Sequence, residues 1–304
     1  MKHSHFATLF LFLLFACTPV PAPTPVVGSA TAVVTATPQV VVITPTNPPT
    51  RMNTGTPTAT NTLTQTPSRT PTPSRAPTEI PSKHYNSAFG IDYGHPEKYL
   101  AQGEQTRISN PTVINALRQK EQRVAHLGEI YFWIKREFAT WSAGGKTIGI
   151  VTTDQLLTER RLGGCHDWGL VYASVARELG YPTIMIDTAS IAWAKQFQSG
   201  QKGPYVGHVL VEVFVAGKWV LVDSTNNWYV ENGYDPTNPT IPLKGAIAGS
   251  TEETYGFYVM RKGVDTWGYG VRNVTELNRL MEDSTRQLKI EAIVYPQYTF
   301  HRFQ

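Results

Sequence analysis

Gly163-Gly164-Cys165-His166-Asp167-Trp168 leads into apolar residues at helical spacing, Trp168, Val171, Val175 and Leu179, and then into Gly180 and Pro182. The spacing predicts a helix that opens at Cys165 and stops at Gly180, where glycine takes the left-handed turn and Pro182 forbids continuation. A thiol at a helix N-terminus sits beside unpaired N–H groups carrying roughly half a positive charge. That charge favours the thiolate, which is the nucleophilic form. The two glycines allow a tight turn and a close approach of another chain. The Cys165 N–H is itself a candidate oxyanion donor.

Downstream, 206–215 and 218–223 alternate apolar and polar residues around Ala216-Gly217, the pattern of a β-hairpin. With a two-residue turn, opposing residues have numbers summing to 433, so Asp223 faces Leu210 and His208 faces Thr225. His208 and Asp223 then lie on one face as diagonal neighbours, about 7–8 Å apart at Cα and within side-chain reach. A one-residue bulge would place them on opposite faces. Cys165, His208 and Asp223 are thus candidates for a thiol nucleophile, its base and the base's orienter. Each alone has a blander reading, as a buried thiol, a strand histidine and a turn aspartate; the joint order carries the expectation. Cys165, His208 and an aspartate could also bind zinc. No C-x-x-C or H-x-x-x-H pair accompanies them, so no metal and no cofactor is expected.

At these residues the chain resembles the transglutaminase-like superfamily, a branch of the papain-like cysteine enzymes. The resemblance rests on Gly163-Gly164-Cys165-His166-Asp167 opening a helix and on Arg177-Glu178-Leu179-Gly180-Tyr181-Pro182 closing it. It continues through Gly207-His208-Val209-Leu210-Val211-Glu212-Val213 and Trp219-Val220-Leu221-Val222-Asp223-Ser224-Thr225. It covers roughly 154–225 and extends to the helical lead-in from 111. It implies an α+β fold of papain-like type, a helical half packed on an antiparallel sheet, with Cys165 as nucleophile, His208 as base and Asp223 as its partner. It also implies a thioester acyl-enzyme formed on an amide, resolved by water (a protease or amidase) or by an amine (a crosslinking transglutaminase). Hydrolysis of peptides or proteins is favoured. A catalytically silent binding module is the rival from another class. His166 falls where the family varies; one position past Cys165 on a helix, it is expected to point to another face, as is Asp167. Trp141 and Gln155 are candidates for a second oxyanion donor.

The flanking sequence yields a coarse map. Residues 85–110 should wrap the surface. From 111 to 141 the pattern is helical with a break near Gly128, and 147–153 reads as a short strand. Residues 183–187 read as a strand, 196–204 as a loop, 231–252 as a long loop and 255–260 as a strand turning at Arg261-Lys262-Gly263. A last helix begins near Asn273, whose spacing to Glu276 suits a capping box, and 290–295 reads as a closing strand.

The first 82 residues differ in kind. Lys2 precedes an apolar run, 6–16, too short to span a bilayer but suited to a signal peptide. Its end, Leu14-Phe15-Ala16-Cys17, resembles a bacterial lipobox, which makes Cys17 the expected lipidation site and 1–17 the signal; an ordinary secretory signal is the alternative. Residues 18–82 hold 14 of the chain's 22 prolines, and 32 of the 65 positions are Thr or Pro. Such a stretch cannot bury a core and should be a solvated, disordered stalk. The expected organisation is therefore signal (1–17), stalk (18–82) and a transglutaminase-like domain (83–304, core about 111–270), exported and anchored by lipid to the outer face of the membrane. The only cysteines are Cys17 and Cys165. If Cys17 carries lipid, Cys165 has no intramolecular disulfide partner. A net charge of +4 with no basic stripe of interleaved aromatics argues against a nucleic-acid partner. A peptide or protein substrate and a membrane surface are the partners expected.

Overall fold

A computed structural model describes residues 88–118, 121–242 and 256–304. The signal, the lipobox cysteine and the stalk lie outside the described residues, as does 243–252 of the expected long loop.

The chain enters the described part through short 3-10 turns, at Ala88–Gly90, Pro96–Tyr99 and Pro111–Leu117, before helix α1 (Val124–Glu137). The helical part of the 111–141 pattern begins at Val124 and runs unbroken through Gly128 to Glu137, after a 3-10 turn that ends at Leu117. Gly128 sits inside α1 because a ring covers it: a Cβ there would lie 2.9 Å from Phe303 Cδ1. After α1 come β1 (Ala139–Thr140), α2 (Thr153–Glu159), β2 (Arg161–Leu162) and α3 (Cys165–Glu178). Strand β1 pairs in parallel with β2. The strand expected over 147–153 is instead a run of turns, because Gly145 and Gly149 take positive φ (82° and 67°). Helix α3 begins at Cys165, and Gly180 follows it at φ 89°.

The remaining elements are β3 (Thr183–Ser190), α4 (Ile191–Gln198), β4 (Gly207–Val215), β5 (Lys218–Asp223), β6 (Trp228–Val230), β7 (Thr240–Pro242), β8 (Gly256–Gly263) and α5 (Val274–Gln287). Among the described residues, six strands form one sheet in the order β6-β5-β4-β3-β8-β7, with every neighbouring pair antiparallel. The β4–β5 register runs from Val215↔Lys218 to Val211↔Val222, the pairing a two-residue turn requires. Ala216 and Gly217 both take positive φ (51° and 81°), as a hairpin turn of that length demands.

Several expectations fail locally. Arg261-Lys262-Gly263 is strand, not turn, since β8 runs through it. Strand β3 continues past Asp187 to Ser190, and α4 occupies the start of the expected 196–204 loop. Strands β6 and β7 form at either side of the 231–239 segment. Residues 290–295 make a single 3-10 turn at Ile290–Ala292 followed by coil. Asn273 caps α5 as expected, accepting from the Glu276 N–H at 3.0 Å.

Alternation along the hairpin sorts its two faces. Val209, Val211, Val213, Val220 and Val222 pack with α1 and α3 in the main core, while Leu210 and Leu221 join Ile186, Trp228 and Val259 on the other face. Burial of each such aliphatic side chain stabilises by about 1.5–3 kcal/mol, so the helical half is held chiefly by this valine face. Helices α4 and α5 cover the β3–β8 end through Ala189, Tyr258, Leu277 and Met281. The molecule is thus the α+β arrangement expected, a helical half on an antiparallel sheet with Cys165 at a helix N-terminus.

Candidate active site

Helix α3 comes against the sheet through Gly169, one turn beyond Cys165. A Cβ on Gly169 would lie 2.5 Å from Val209 Cγ1, so only glycine lets helix and strand approach this closely. Val209 pairs with Asp187, and the next row pairs His208 with Thr188. The first turn of α3 and the start of β4 therefore share one end of the β3–β4 ladder.

The turn into α3 is held from behind. Asp167 Oδ2 accepts the Gly163 N–H at 2.6 Å. Burial pushes the Asp167 carboxyl up, and the Gly163 N–H and Thr147 oppose that rise. A Cβ on Gly163 would lie 2.5 Å from Ala143 Cβ, so this glycine answers to close packing. Cys165 is half-buried, and its Sγ lies 4.0 Å from His166 Nδ1. His166 therefore reaches back to the sulfur, contrary to the expectation that it would point elsewhere. A small recess opens beside Cys165 between Gly145, Thr147, Ile148 and Gly164. A larger recess, between Tyr93, Trp219 and Tyr234, sits at the turn end of the hairpin, away from His208.

His208 and Asp223 meet as the register requires. His208 Nε2 lies 2.8 Å from Asp223 Oδ2. The Asp223 carboxylate is fully buried and accepts further bonds from the Thr225 N–H (2.8 Å), the Asn226 N–H (2.9 Å) and Asn226 Nδ2 (2.8 Å). Burial alone would raise its pKa. The His208 ring and the Asn226 donors outweigh burial and hold the carboxyl below its ordinary range. Such a carboxylate fixes the ring by one nitrogen, and the described polar contacts of the His208 ring, to Asp223 and to Asn226 Nδ2, are both at Nε2. The Phe257 ring, 5.7 Å away between centroids, packs on the imidazole.

Asn226 was not singled out from the sequence, although an asparagine three residues past an aspartate is a turn signal. Gln155 lies in the capping box of α2, where its Oε1 accepts the Thr152 N–H at 2.8 Å. Trp141 is exposed, and its backbone N–H donates to Leu162 O at 3.0 Å. Among the described residues, no group of three His, Cys, Asp or Glu side chains is placed to hold a metal ion, and no helix is long and apolar enough to cross a membrane.

The fold and site so described define an α+β domain with a thiol at a helix tip and an imidazole–carboxylate pair on the adjoining sheet. No family model and no curated protein matches the chain. Two solved structures are similar to it. One is a candidate cysteine protease from Cytophaga hutchinsonii, 17% identical with a TM-score of 0.38; the match covers 60% of this chain and 50% of that one. The other is LapG from Legionella pneumophila, 10% identical with a TM-score of 0.30, covering 65% of this chain and 97% of that one. The chain therefore spans only half the length of the Cytophaga protein.

Proposed function

We propose that this protein is a cysteine hydrolase of transglutaminase-like type that cleaves amide bonds in peptides or proteins through a thioester, working outside the cell on a lipid anchor at Cys17. The observation that carries the reading is the 2.8 Å His208–Asp223 contact at the same end of the ladder as the first turn of α3. The half-buried thiol at that helix tip supports it. So does the order of the three sequence blocks, and for the anchor, the ending Leu14-Phe15-Ala16-Cys17.

In this reading the Cys165 S–H proton passes to imidazole nitrogen and the sulfur attacks the carbonyl carbon. Positive charge then on His208 is balanced by Asp223 through Nε2–H. The oxyanion is met by the Cys165 N–H. His208 returns a proton to the leaving amine, the C–N bond breaks and the thioester remains. Water, deprotonated by His208, attacks the thioester, releasing the acid and restoring the thiol.

The test is a glutamine- and lysine-containing peptide incubated with the full chain and followed by mass. Hydrolysis with a transient acyl adduct on the Cys165 peptide, absent in Cys165→Ala, is expected. Crosslinked or amine-exchanged product would make the protein a transglutaminase instead, and no adduct with any peptide would make it a binding module. The mass of the mature N-terminus checks the anchor: an unmodified Cys17 overturns it.

A further inference from the structure

Cys165 has an imidazole beside it in its own helical turn. His166 follows it in the first turn of α3, is buried, and places Nδ1 4.0 Å from Sγ, the long end of a sulfur hydrogen bond. Its Nε2 lies 2.7 Å from Oδ1 of Asp187, a buried carboxylate in the middle of β3, at ion-pair distance but off the line of a hydrogen bond. The other oxygen, Asp187 Oδ2, accepts the hydroxyl of Tyr269. Sulfur, imidazole, carboxylate and phenol thus follow one another from α3 through β3 to the 264–273 loop. The ring has the polarity of His208: Nε2 meets an aspartate. Here, though, Nδ1 is the atom that meets the sulfur.

Packing alone does not account for this arrangement. A carboxylate inside a strand is costly to bury unless it is paired. The cation opposite Asp187 in the ladder, Arg261, is exposed and donates to Met260 O rather than to Asp187. The other ionisable groups around the ring are Asp167 in the same turn, which feels the charge of His166, and Asp265, which lies behind Tyr269. Asp187 is the group that contacts the imidazole, and Tyr269 is the group that holds Asp187.

We propose that His166 is a second base for the Cys165 thiol, with Asp187 and Tyr269 as its positioning residues. This rests on the reading of Cys165 as the nucleophile. The S–H bond breaks, its electron pair stays on sulfur, and the proton goes to His166 Nδ1. The imidazolium is balanced by Asp187 through Nε2. Nothing is oxidised or reduced, and no further reactant enters. Either ring can then take the thiol proton, and only His208 delivers one to the leaving amine. Thiolate formation survives the loss of His208, whereas protonation of the leaving amine does not.

The experiment separates these steps. Iodoacetamide alkylation of Cys165 needs only the thiolate, and turnover of the peptide needs both steps. Alkylation is read by mass on the Cys165 peptide of the full chain across a pH series, which keeps Cys17 out of the count. In His208→Ala, turnover should collapse while alkylation near neutrality stays within about tenfold of wild type. In His166→Gln/His208→Ala, alkylation should fall about thirtyfold, to the few per cent thiolate that an unassisted thiol keeps near neutral pH. In the His208→Ala background, Asp187→Asn and the milder Tyr269→Phe should move the midpoint of the alkylation profile to higher pH. Circular dichroism identifies any variant that fails to fold, and Tyr269→Phe then carries the test. The proposal is overturned if His208→Ala alone drops to the unassisted rate and His166→Gln alone leaves the wild-type profile unmoved. A wild-type Cys165 that already reacts at the unassisted rate would remove the nucleophile reading itself.

Discussion

Glu212 and Asp223 are both carboxylates buried on the β4–β5 hairpin, and they are satisfied in opposite ways. Glu212 Oε1 accepts from Lys262 Nζ (2.6 Å) and Tyr234 OH (2.5 Å), and Oε2 accepts from Tyr93 OH (2.9 Å). The three N–H bonds of Lys262 go to Glu212, Tyr93 OH and Pro236 O, and both charged side chains are 0% exposed. Every donor there ends on another fixed group. Asp223 is equally buried, but the group it holds, His208, keeps 12% of its side chain exposed and is bonded through one nitrogen. A closed network can only hold the sheet together, here pinning the 88–99 segment and the 231–239 segment to β4 and β8. An open one can pass a proton.

Cys165→Ala should take peptide hydrolysis to the uncatalysed level while urea unfolding shifts by less than about 1 kcal/mol, as for a small change at a half-buried position. A variant that still turns over would end the nucleophile reading. Next, His208→Ala should lower kcat/KM about 10²–10⁴-fold, the usual worth of a positioned acid–base group, and cost less in urea unfolding than the loss of Lys262 does, since Asp223 keeps three other donors. Lys262→Met should do the reverse. Leaving Glu212 buried without its cation should cost about 3–5 kcal/mol in urea unfolding, with kcat of the folded protein retained. A cost below about 1 kcal/mol would show that the closed network does not hold the sheet.

Acid sharpens the contrast at Asp223. Its folded pKa is held below the unfolded value of about 3.9, so its ionised form stabilises the fold. That contribution is complete above the unfolded value and disappears as pH falls through the folded one. Urea unfolding at a series of acid pH values should therefore fall less steeply in Asp223→Asn than in wild type. Equal slopes would mean that Asp223 contributes nothing. The smallest effect expected is that of Asn226→Ala, which removes one of four donors to the carboxylate: about a tenfold loss in kcat/KM, consistent with the weight of one hydrogen bond to a charged group.

The hairpin and the helix opening were legible because local chemistry dictates them. Ala216-Gly217 sets the register, the register sets the parity of His208 and Asp223, and Gly180 stops α3. The rest depends on partners distant in sequence. Lys262 looks like a turn residue beside Gly263 until Glu212, fifty residues earlier, is seen to neutralise it. Asp187 looks like the end of a strand until His166 and Tyr269 are seen to hold it inside one. Strand β6 has three residues, too few to show alternation, and forms because Leu221, Val222 and Asp223 offer an edge. Helix α4 follows β3 with no intervening loop; its signal, Ser190 accepting from the Trp193 N–H, is a single cap.

The edge that β6 presents is closed by residues 301–303. His301 and Tyr229 exchange backbone bonds at 2.9 Å each, and Phe303 stacks on Tyr229 at 4.5 Å and covers Gly128 of α1. The Arg302 guanidinium donates to Asn226 O, and Asn227 Nδ2 donates to Phe303 O. These few residues brace the very turn whose amides cradle Asp223. The aim of the imidazole therefore depends on a segment some eighty positions away, and a change at Phe303 would reorient His208 without touching it.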